Sequence, residues 1–436
     1  MAGVLLVTEF TRGYGEFRRC WVRAAYERYV RYYRRQIVRA VESERAGGPV
    51  TLMTARQLLG NAQLPPDVTV RYYDEESYKV DSGSLAKVTR DLVSGWWPSP
   101  DRAPELRYRG VWLPDLLTIS RSIVLRMEIV EPLGIIEQVC REAEPVRIVV
   151  IGGASIPERL ARLLADRRGV PFRIAAPWML LSRALAVGLR RLYPREERLR
   201  LREVTDFPRE PVANPHALLP ERVLCVTCRP RHHAVVDPFL VALRAASVDG
   251  HVVAAPNPEP SFGRSLARLR EQGFPAGHLT DYLPRAEALE LVRRYRSVVR
   301  RTWRRIARDP ELSRRLTVDG VPLQGVARPF LRDAVTRSLL TALLIQEATF
   351  RALDAVRPTV AVITSTRRLA ERALAAAARL RGIPCVLFSG ALILGRDRYP
   401  SFDVADRMLV IGDLLKQQLI RDEGIELERV SVVGDP

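Results

Sequence analysis

At 436 residues and 47% hydrophobic, the chain can bury large cores and has room for two or three domains. Its formal charge of +19 points to nucleic acid, an anionic membrane surface or phosphorylated ligands, yet 66 of its 69 cations are arginine, and a GC-rich coding bias produces that skew whatever the function. Five cysteines, an odd number, argue against a disulfide framework and fit a reducing cytoplasm, and no apolar run reaches the roughly 18 residues of a membrane-crossing helix.

Taken in order, Gly3–Thr8 reads as a buried strand. Met1–Thr8 is too short, and too soon followed by charge, for a signal peptide. Arg12–Val41 is expected to be helical, with Phe17, Trp21, Tyr26, Tyr29, Tyr33 and Ile37 recurring at helical spacing, until Gly47-Gly48-Pro49 breaks it. Val68–Tyr73 reads as a strand, Asp74–Trp97 is polar and weakly periodic, and Leu116–Glu142 is a long helical stretch with a bend expected at Pro132. Arg147–Ile151 is a strand running into Gly152-Gly153, and Ser155-Ile156-Pro157-Glu158 is a capping box opening a helix that stops at Gly169. Residues 193–220 are rich in charge and proline, the composition of a linker. Beyond it, Arg222–Cys228 and Gly250–Ala255 read as strands, Ala234–Ala246 as an amphipathic helix, Ala286–Arg308 as a very basic helix and Val326–Val356 as a long apolar one.

Strands then alternate with helices at short intervals. Thr359–Ile363, Cys385–Phe388, Arg407–Ile411 and Val430–Val433 are strands; Leu369–Arg381 and Asp413–Asp422 are helices stopped by Gly382 and Gly424. That rhythm means βαβ units and a parallel sheet. The fold class is therefore α/β, with two Rossmann-like modules at 1–192 and 221–436 joined by the 193–220 linker.

The two modules share a pattern. Pro145–Pro171 aligns without gaps on Pro358–Pro384, with eight of 27 positions identical, among them the pairs Glu158-Arg159 and Glu371-Arg372. Upstream, Gly110-Val111-x-Leu113 mirrors Gly320-Val321-x-Leu323. An internal duplication accounts for this; so does the Gly-x-Pro stop and Ala/Leu/Arg helix that any two βαβ units share.

The residues Arg381-Gly382-Ile383-Pro384, Ser389-Gly390, Tyr399, Ala405-Asp406, Gly412, Gly424-Ile425 and Val432-Val433-Gly434-Asp435-Pro436 carry a family resemblance. In this order they resemble the amino-terminal domain of GT-B glycosyltransferases that build surface polysaccharide, and the related nucleotide-sugar 2-epimerases and glycerophosphotransferases. Many relatives have His-Gly where this chain has Ser389-Gly390. The resemblance implies sugar transfer from a nucleotide-sugar donor to a glycan or lipid-linked acceptor, in the cytoplasm or at the inner face of the membrane. It also implies an acceptor-side domain whose donor-binding partner follows, so the chain reads as a fragment. No D-x-D motif occurs, which agrees with metal-independent chemistry and no cofactor. A 2-epimerase or a non-catalytic binding module is the alternative; an epimerase needs carboxylates in loops that here are rich in Arg, His, Ser and Thr.

Ligands of open parallel sheets gather at the carboxyl ends of the strands. Three loops there are candidates. Arg229-Pro230-Arg231-His232-His233 offers two imidazoles for a general base and two guanidiniums for anionic sugar-phosphate; the alternative is an exposed loop that merely caps the helix at Ala234. Thr364, Ser365, Thr366 and Arg367 suit a phosphate or sugar at a helix amino terminus, or simple capping by Ser365 or Thr366. Ser389, Gly390, Arg396 and Arg398 follow the next strand. Cys225 and Cys228 sit three apart on a strand, facing opposite sides, and so read as structural rather than zinc ligands. The basic helix Val292–Ile306 fits either a core stripe with a solvated face or contact with an anionic membrane. No nucleic-acid-binding signature accompanies it.

Overall fold

The computed structural model describes residues 3–9, 20–153, 155–178, 201–209, 221–228, 230–256, 260–389 and 404–434. Two parallel sheets organise it. The first has five strands, β1 (Val4–Val7), β2 (Val50–Thr54), β3 (Thr69–Tyr72), β6 (Arg147–Val150) and β7 (Phe172–Ile174), in the order β3-β2-β1-β6-β7. The second has seven, β8 (Arg222–Thr227), β9 (Asp249–Ala254), β10 (Ala276–His278), β13 (Val360–Ile363), β14 (Cys385–Ser389), β15 (Arg407–Val410) and β16 (Val430–Val432), in the order β10-β9-β8-β13-β14-β15-β16. Two short antiparallel hairpins complete the strands: β4 (Arg107–Tyr108) with β5 (Val111–Trp112), and β11 (Thr317–Val318) with β12 (Val321–Pro322).

In both sheets the chain starts in the middle, runs outward to one edge, then returns to the middle and runs to the other. This is the doubly wound Rossmann order. The α/β class with two Rossmann-like modules is thus observed. The central strands carry the apolar residues that burial on both faces demands: Leu5 and Leu6 of β1, and Leu224 and Cys225 of β8, have no exposed surface. Val430–Val432 pairs with β15 as the last strand of the second sheet, as expected.

Four local readings change. β2 follows the Gly47–Pro49 break at once; five residues, VTLMT, were too short a run to stand out. β10, Ala-Gly-His, has no strand propensity and forms through its pairing with β9. The long helical stretch does not simply bend at Pro132: a π-helical turn at Arg126–Val130 comes just before the proline, which lacks the N–H a regular helix would use. Within the stretch expected as linker, Leu201–Thr205 is helical, Val204 is buried, and Arg209 Nε donates to the Leu283 carbonyl at 2.7 Å.

The shared sequence pattern extends to the backbone. Each hairpin turns on a left-handed residue pair, Arg109-Gly110 and Asp319-Gly320. Each leads into a helix with a π turn, at Arg126–Val130 and Ala334–Ser338. Each helical stretch ends on a left-handed cap, Glu144 and Arg357, before a strand, a helix and a left-handed glycine, Gly169 or Gly382. A generic βαβ unit requires neither the hairpin nor the π turn.

The chain divides into two compact units, each discontinuous in sequence. One comprises residues 1–92, 123–196 and 310–329; the other comprises 93–122, 197–309 and 330–436. Each unit thus contains the hairpin arm that precedes the other unit's repeat. The arms are held by matching contacts. In the first unit, Arg159 Nη2 donates to the Gly325 carbonyl at 2.7 Å, and Arg167 Nη1 to the Asp319 carbonyl at 2.6 Å. In the second, Arg372 Nη2 donates to the Asp115 carbonyl at 3.1 Å, and Leu380 packs where a Cβ at Gly110 would point. Arg159 and Arg372 are equivalent in the repeat, as are Arg167 and Leu380. Pro329 leaves the Gly325 carbonyl without its helical donor, and Arg159 supplies one.

Candidate functional site

In the second sheet the winding direction reverses between β8 and β13, whose register pairs Val226 with Ile363. The segments leaving these two strands part there, and the opening lies at the carboxyl edge. Thr227 and Cys228 end one side; Thr364, Ser365, Thr366, Arg367 and Arg368 form the other.

The second loop is tied from below. Glu371, with no exposed surface, accepts a hydrogen bond from Thr364 Oγ1 at 2.6 Å. Ser365 Oγ accepts from the backbone N–H of Arg367 at 3.1 Å, a local turn. Thr366 is buried, and its carbonyl accepts from Arg372 Nη1 at 3.3 Å. The expectation that Ser365 or Thr366 caps the following helix is corrected. The helix Leu369–Leu380 begins later, its cap residue is Arg368, and no side-chain oxygen caps it. The backbone N–H of Glu371 is instead directed at the Cys228 sulfur. Arg367 and Arg368 remain partly exposed at the opening.

At the equivalent edge of the first sheet, the described residues are tied to one another by buried hydrogen bonds. There the cap is Ser155, whose Oγ accepts from the Glu158 N–H while the Glu158 carboxylate accepts from the Ser155 N–H. The same carboxylate accepts from Tyr33 Oη at 2.9 Å, and the Tyr33 oxygen accepts from the Glu9 N–H at 3.0 Å. Tyr29 Oη donates to Glu9 Oε2 at 2.8 Å, and Thr8 Oγ1 donates to Thr54 Oγ1 at 3.0 Å. All of these groups are buried. Burial, and then the carboxylates of Glu158 and Glu9, push the Tyr33 phenol well above its ordinary range. Gly152 and Gly153 are both left-handed here, and a side chain at Gly153 would meet Ile174 at 2.9 Å, so backbone conformation accounts for both glycines and packing adds to it at Gly153.

Other candidates fall as follows. His232 and His233 do not lie in a loop: the helix Pro230–Ala245 already includes them, close to its amino terminus and just after β8. Pro230 at the first helical position was the available signal. Their side chains and that of Arg231 lie outside the described residues, as do Arg229, Gly390, Arg396 and Arg398. Ser389 is the last residue of β14, paired with Val410, its side chain likewise outside the description. The Ala-Asp motif serves the opposite edge, where Asp406 Oδ2 accepts from the Cys385 N–H at 2.7 Å at the start of β14. Glu371 was not foreseen, because a glutamate in the first turn of a helix ordinarily reads as solvated; its identity with Glu158 in the repeat was the clue.

Among the described residues no group of three or more His, Cys, Asp and Glu side chains could hold a metal ion. Burial pushes the Cys225 thiol up to about 12 and Cys140 to about 11; burial and then the Glu371 carboxylate push Cys228 well above its ordinary value. At neutral pH a thiol of pKa 11 is ionised about once in ten thousand. Native protein treated with an aromatic disulfide reagent should therefore leave Cys140, Cys225, Cys228 and Cys385 unmodified, with all four reacting in denaturant. Rapid labelling of Cys228 in native protein, located by peptide mapping, would contradict its capping role.

No helix among the described residues is long and apolar enough to cross a membrane. No protein-family model matches the chain, and no curated protein matches it. Among solved structures it is similar to the crystal structure of UDP-GlcNAc 2-epimerase from Neisseria meningitidis bound to UDP-GlcNAc, with 13% identity and a TM-score of 0.31; the match covers 49% of this chain and 46% of that one. Fit that loosely, over about half of either chain, the pair supports no residue-level comparison.

Proposed function

We propose that the carboxyl edge of the seven-stranded sheet is the ligand site of a glycosyltransferase-like protein, and that the second module is its GT-B-like acceptor-side domain. The observation that supports this most is the contrast between the two repeats. Where the first caps its helix with a buried Ser155–Glu158 box, the second has Arg368 as cap and partly exposed arginines at the strand ends. A rigid hydroxyl-bearing loop with Arg367 and Arg368 beside a helix amino terminus suits a phosphate.

In this reading His232 or His233 accepts the proton of an acceptor hydroxyl. The oxygen attacks the anomeric carbon of a nucleotide sugar, and the bond to the diphosphate breaks. Arg367 and Arg368 offset charge gathering on phosphate oxygens. Membrane-bound or glycan acceptors both fit this scheme. Glu371 takes no part as a base, since its carboxylate is buried and engaged.

The test is release of nucleoside diphosphate by the intact gene product from a panel of nucleotide sugars, with and without phosphorylated lipid and glycan acceptors. Acceptor-dependent release from at least one donor is expected, and Arg367→Ala together with Arg368→Ala should lower kcat/KM by about tenfold or more. No release from any donor, or release indifferent to both arginines, would contradict the site.

A further inference from the structure

A second cavity lies in the same unit, apart from the sheet edge. Its volume is about 360 Å³, and Leu201, Val299, Trp303 and Leu340 line it together with Arg296, Arg300, Arg304 and Arg332, with Thr336 beside them. Val299 and Leu340 are buried, so the floor is apolar. Among the described residues no carboxylate lines the cavity. Asp333, adjacent to Arg332, is already paired with Arg121 at 3.1 Å and with Arg337 at 3.6 Å.

The arginines are not an average basic surface. Arg296, Arg300 and Arg304 recur every fourth residue on the helix Arg285–Arg308, a ladder about 12 Å long at the usual rise of a helix. Like charges at that spacing destabilise a helix. Other arginines of the same helix have partners: Arg293 pairs with Glu290, Arg285 with Asp206, and Arg305 with Glu105. Among the described residues the ladder facing the cavity has no such carboxylates. Arg332 adds a fourth cation from the helix Gln324–Asp333, close to the π turn at Ala334–Ser338. By its sequence this helix fits either a core stripe with a solvated basic face or contact with an anionic membrane. The cavity gives it a third role.

We infer that this cavity binds an anionic amphiphile: a phosphate monoester or diphosphate whose oxygens meet the Arg296–Arg300–Arg304 ladder and Arg332, and whose apolar portion lies on Val299, Leu340 and the Trp303 indole. The planar guanidinium fork matches phosphate oxygens two at a time, which makes arginine the better choice for this than lysine. An inorganic anion would use only the rim, whereas an alkyl or isoprenyl phosphate would use rim and floor. The shared chemistry is a phosphate carrying an apolar group. A lipid headgroup and a free phosphorylated metabolite both present it. This site stands independently of the proposal for the sheet edge.

Calorimetric titration of the whole protein with a short-chain alkyl phosphate, below its micelle concentration, tests the inference. Saturable binding is expected, with inorganic phosphate at least about tenfold weaker because it lacks the apolar part. The double variant Arg300→Gln/Arg304→Gln should weaken alkyl phosphate binding by tenfold or more, while Arg293→Gln/Arg301→Gln on the same helix should leave it within about twofold. Thermal unfolding of both variants confirms that each is folded. Equal losses in the two double variants would overturn the site, since diffuse charge would then explain binding. So would equal affinity for alkyl and inorganic phosphate, or no saturable binding. Co-sedimentation with vesicles of phosphatidylcholine and phosphatidic acid separates the sources. Sedimentation lost in Arg300→Gln/Arg304→Gln assigns the cavity to a lipid headgroup; monomer binding without sedimentation assigns it to a soluble phosphate.

Discussion

Cleaved at a protease site inserted within residues 210–220, the protein is expected to remain a single particle. Each compact unit contains segments from both sides of that cut: 93–122 and 201–209 belong with the later residues, and 310–329 with the earlier ones. Separation would require both arms to be withdrawn. Trp96, Trp97, Leu106, Leu113, Leu116 and Leu117 of the first arm are buried, as are Leu312, Leu316, Val321, Leu323 and Val326 of the second. At about 2 kcal/mol for each large apolar side chain, exposing either arm costs on the order of 10 kcal/mol before chain entropy is regained. Native size-exclusion chromatography should show the mass of the uncut chain, and denaturing electrophoresis two bands. Two separately eluting folded pieces would overturn the exchange.

The hold on the first arm should weaken in acid. Glu347 accepts from Tyr108 Oη at 2.8 Å and from Arg109 Nη1 at 3.1 Å. Burial alone would raise its carboxyl pKa, but hydrogen bonds from Arg351, Tyr108 and Arg109 outweigh it, and the net shift is downward. A lowered carboxyl contributes stability that is present above the unfolded-state pKa and lost as pH falls through the folded one. The nicked protein should therefore part more readily below the ordinary glutamate range than at neutral pH.

The sheets were legible in the sequence because buried parallel strands leave short β-branched runs bounded by Gly and Pro, as Val360–Ile363 and Arg147–Val150 do. The arm exchange was not. Residues 93–122 have the same local pattern whichever unit they pack on, and only contacts such as Arg372 to Asp115 decide the matter. The repeat did mark the residues that make it work, since Glu158-Arg159 and Glu371-Arg372 were among its identities. In each pair the glutamate is buried behind the strand end and the arginine clamps an arm. At the candidate site, the loop Thr364–Arg368 follows its strand at the carboxyl edge, as its place in the chain implies, but neither Ser365 nor Thr366 caps the helix. The serine and threonine came first in the chain, yet the helix starts only after Arg368, and a cysteine from β8's end takes the place of a capping oxygen. That substitution needed the tertiary contact between Cys228 and Glu371, which no local pattern encodes.

Sugar transfer by the intact protein, compared with that of His232→Ala and His233→Ala made separately, tests the functional account most directly. Both positions open the helix that follows β8, on the strand edge where Thr364–Arg368 also lies. The account predicts that one variant loses several hundred-fold in turnover, about 3.5 kcal/mol of barrier, while its thermal unfolding matches that of the unaltered protein. Near-normal turnover in both variants would contradict it.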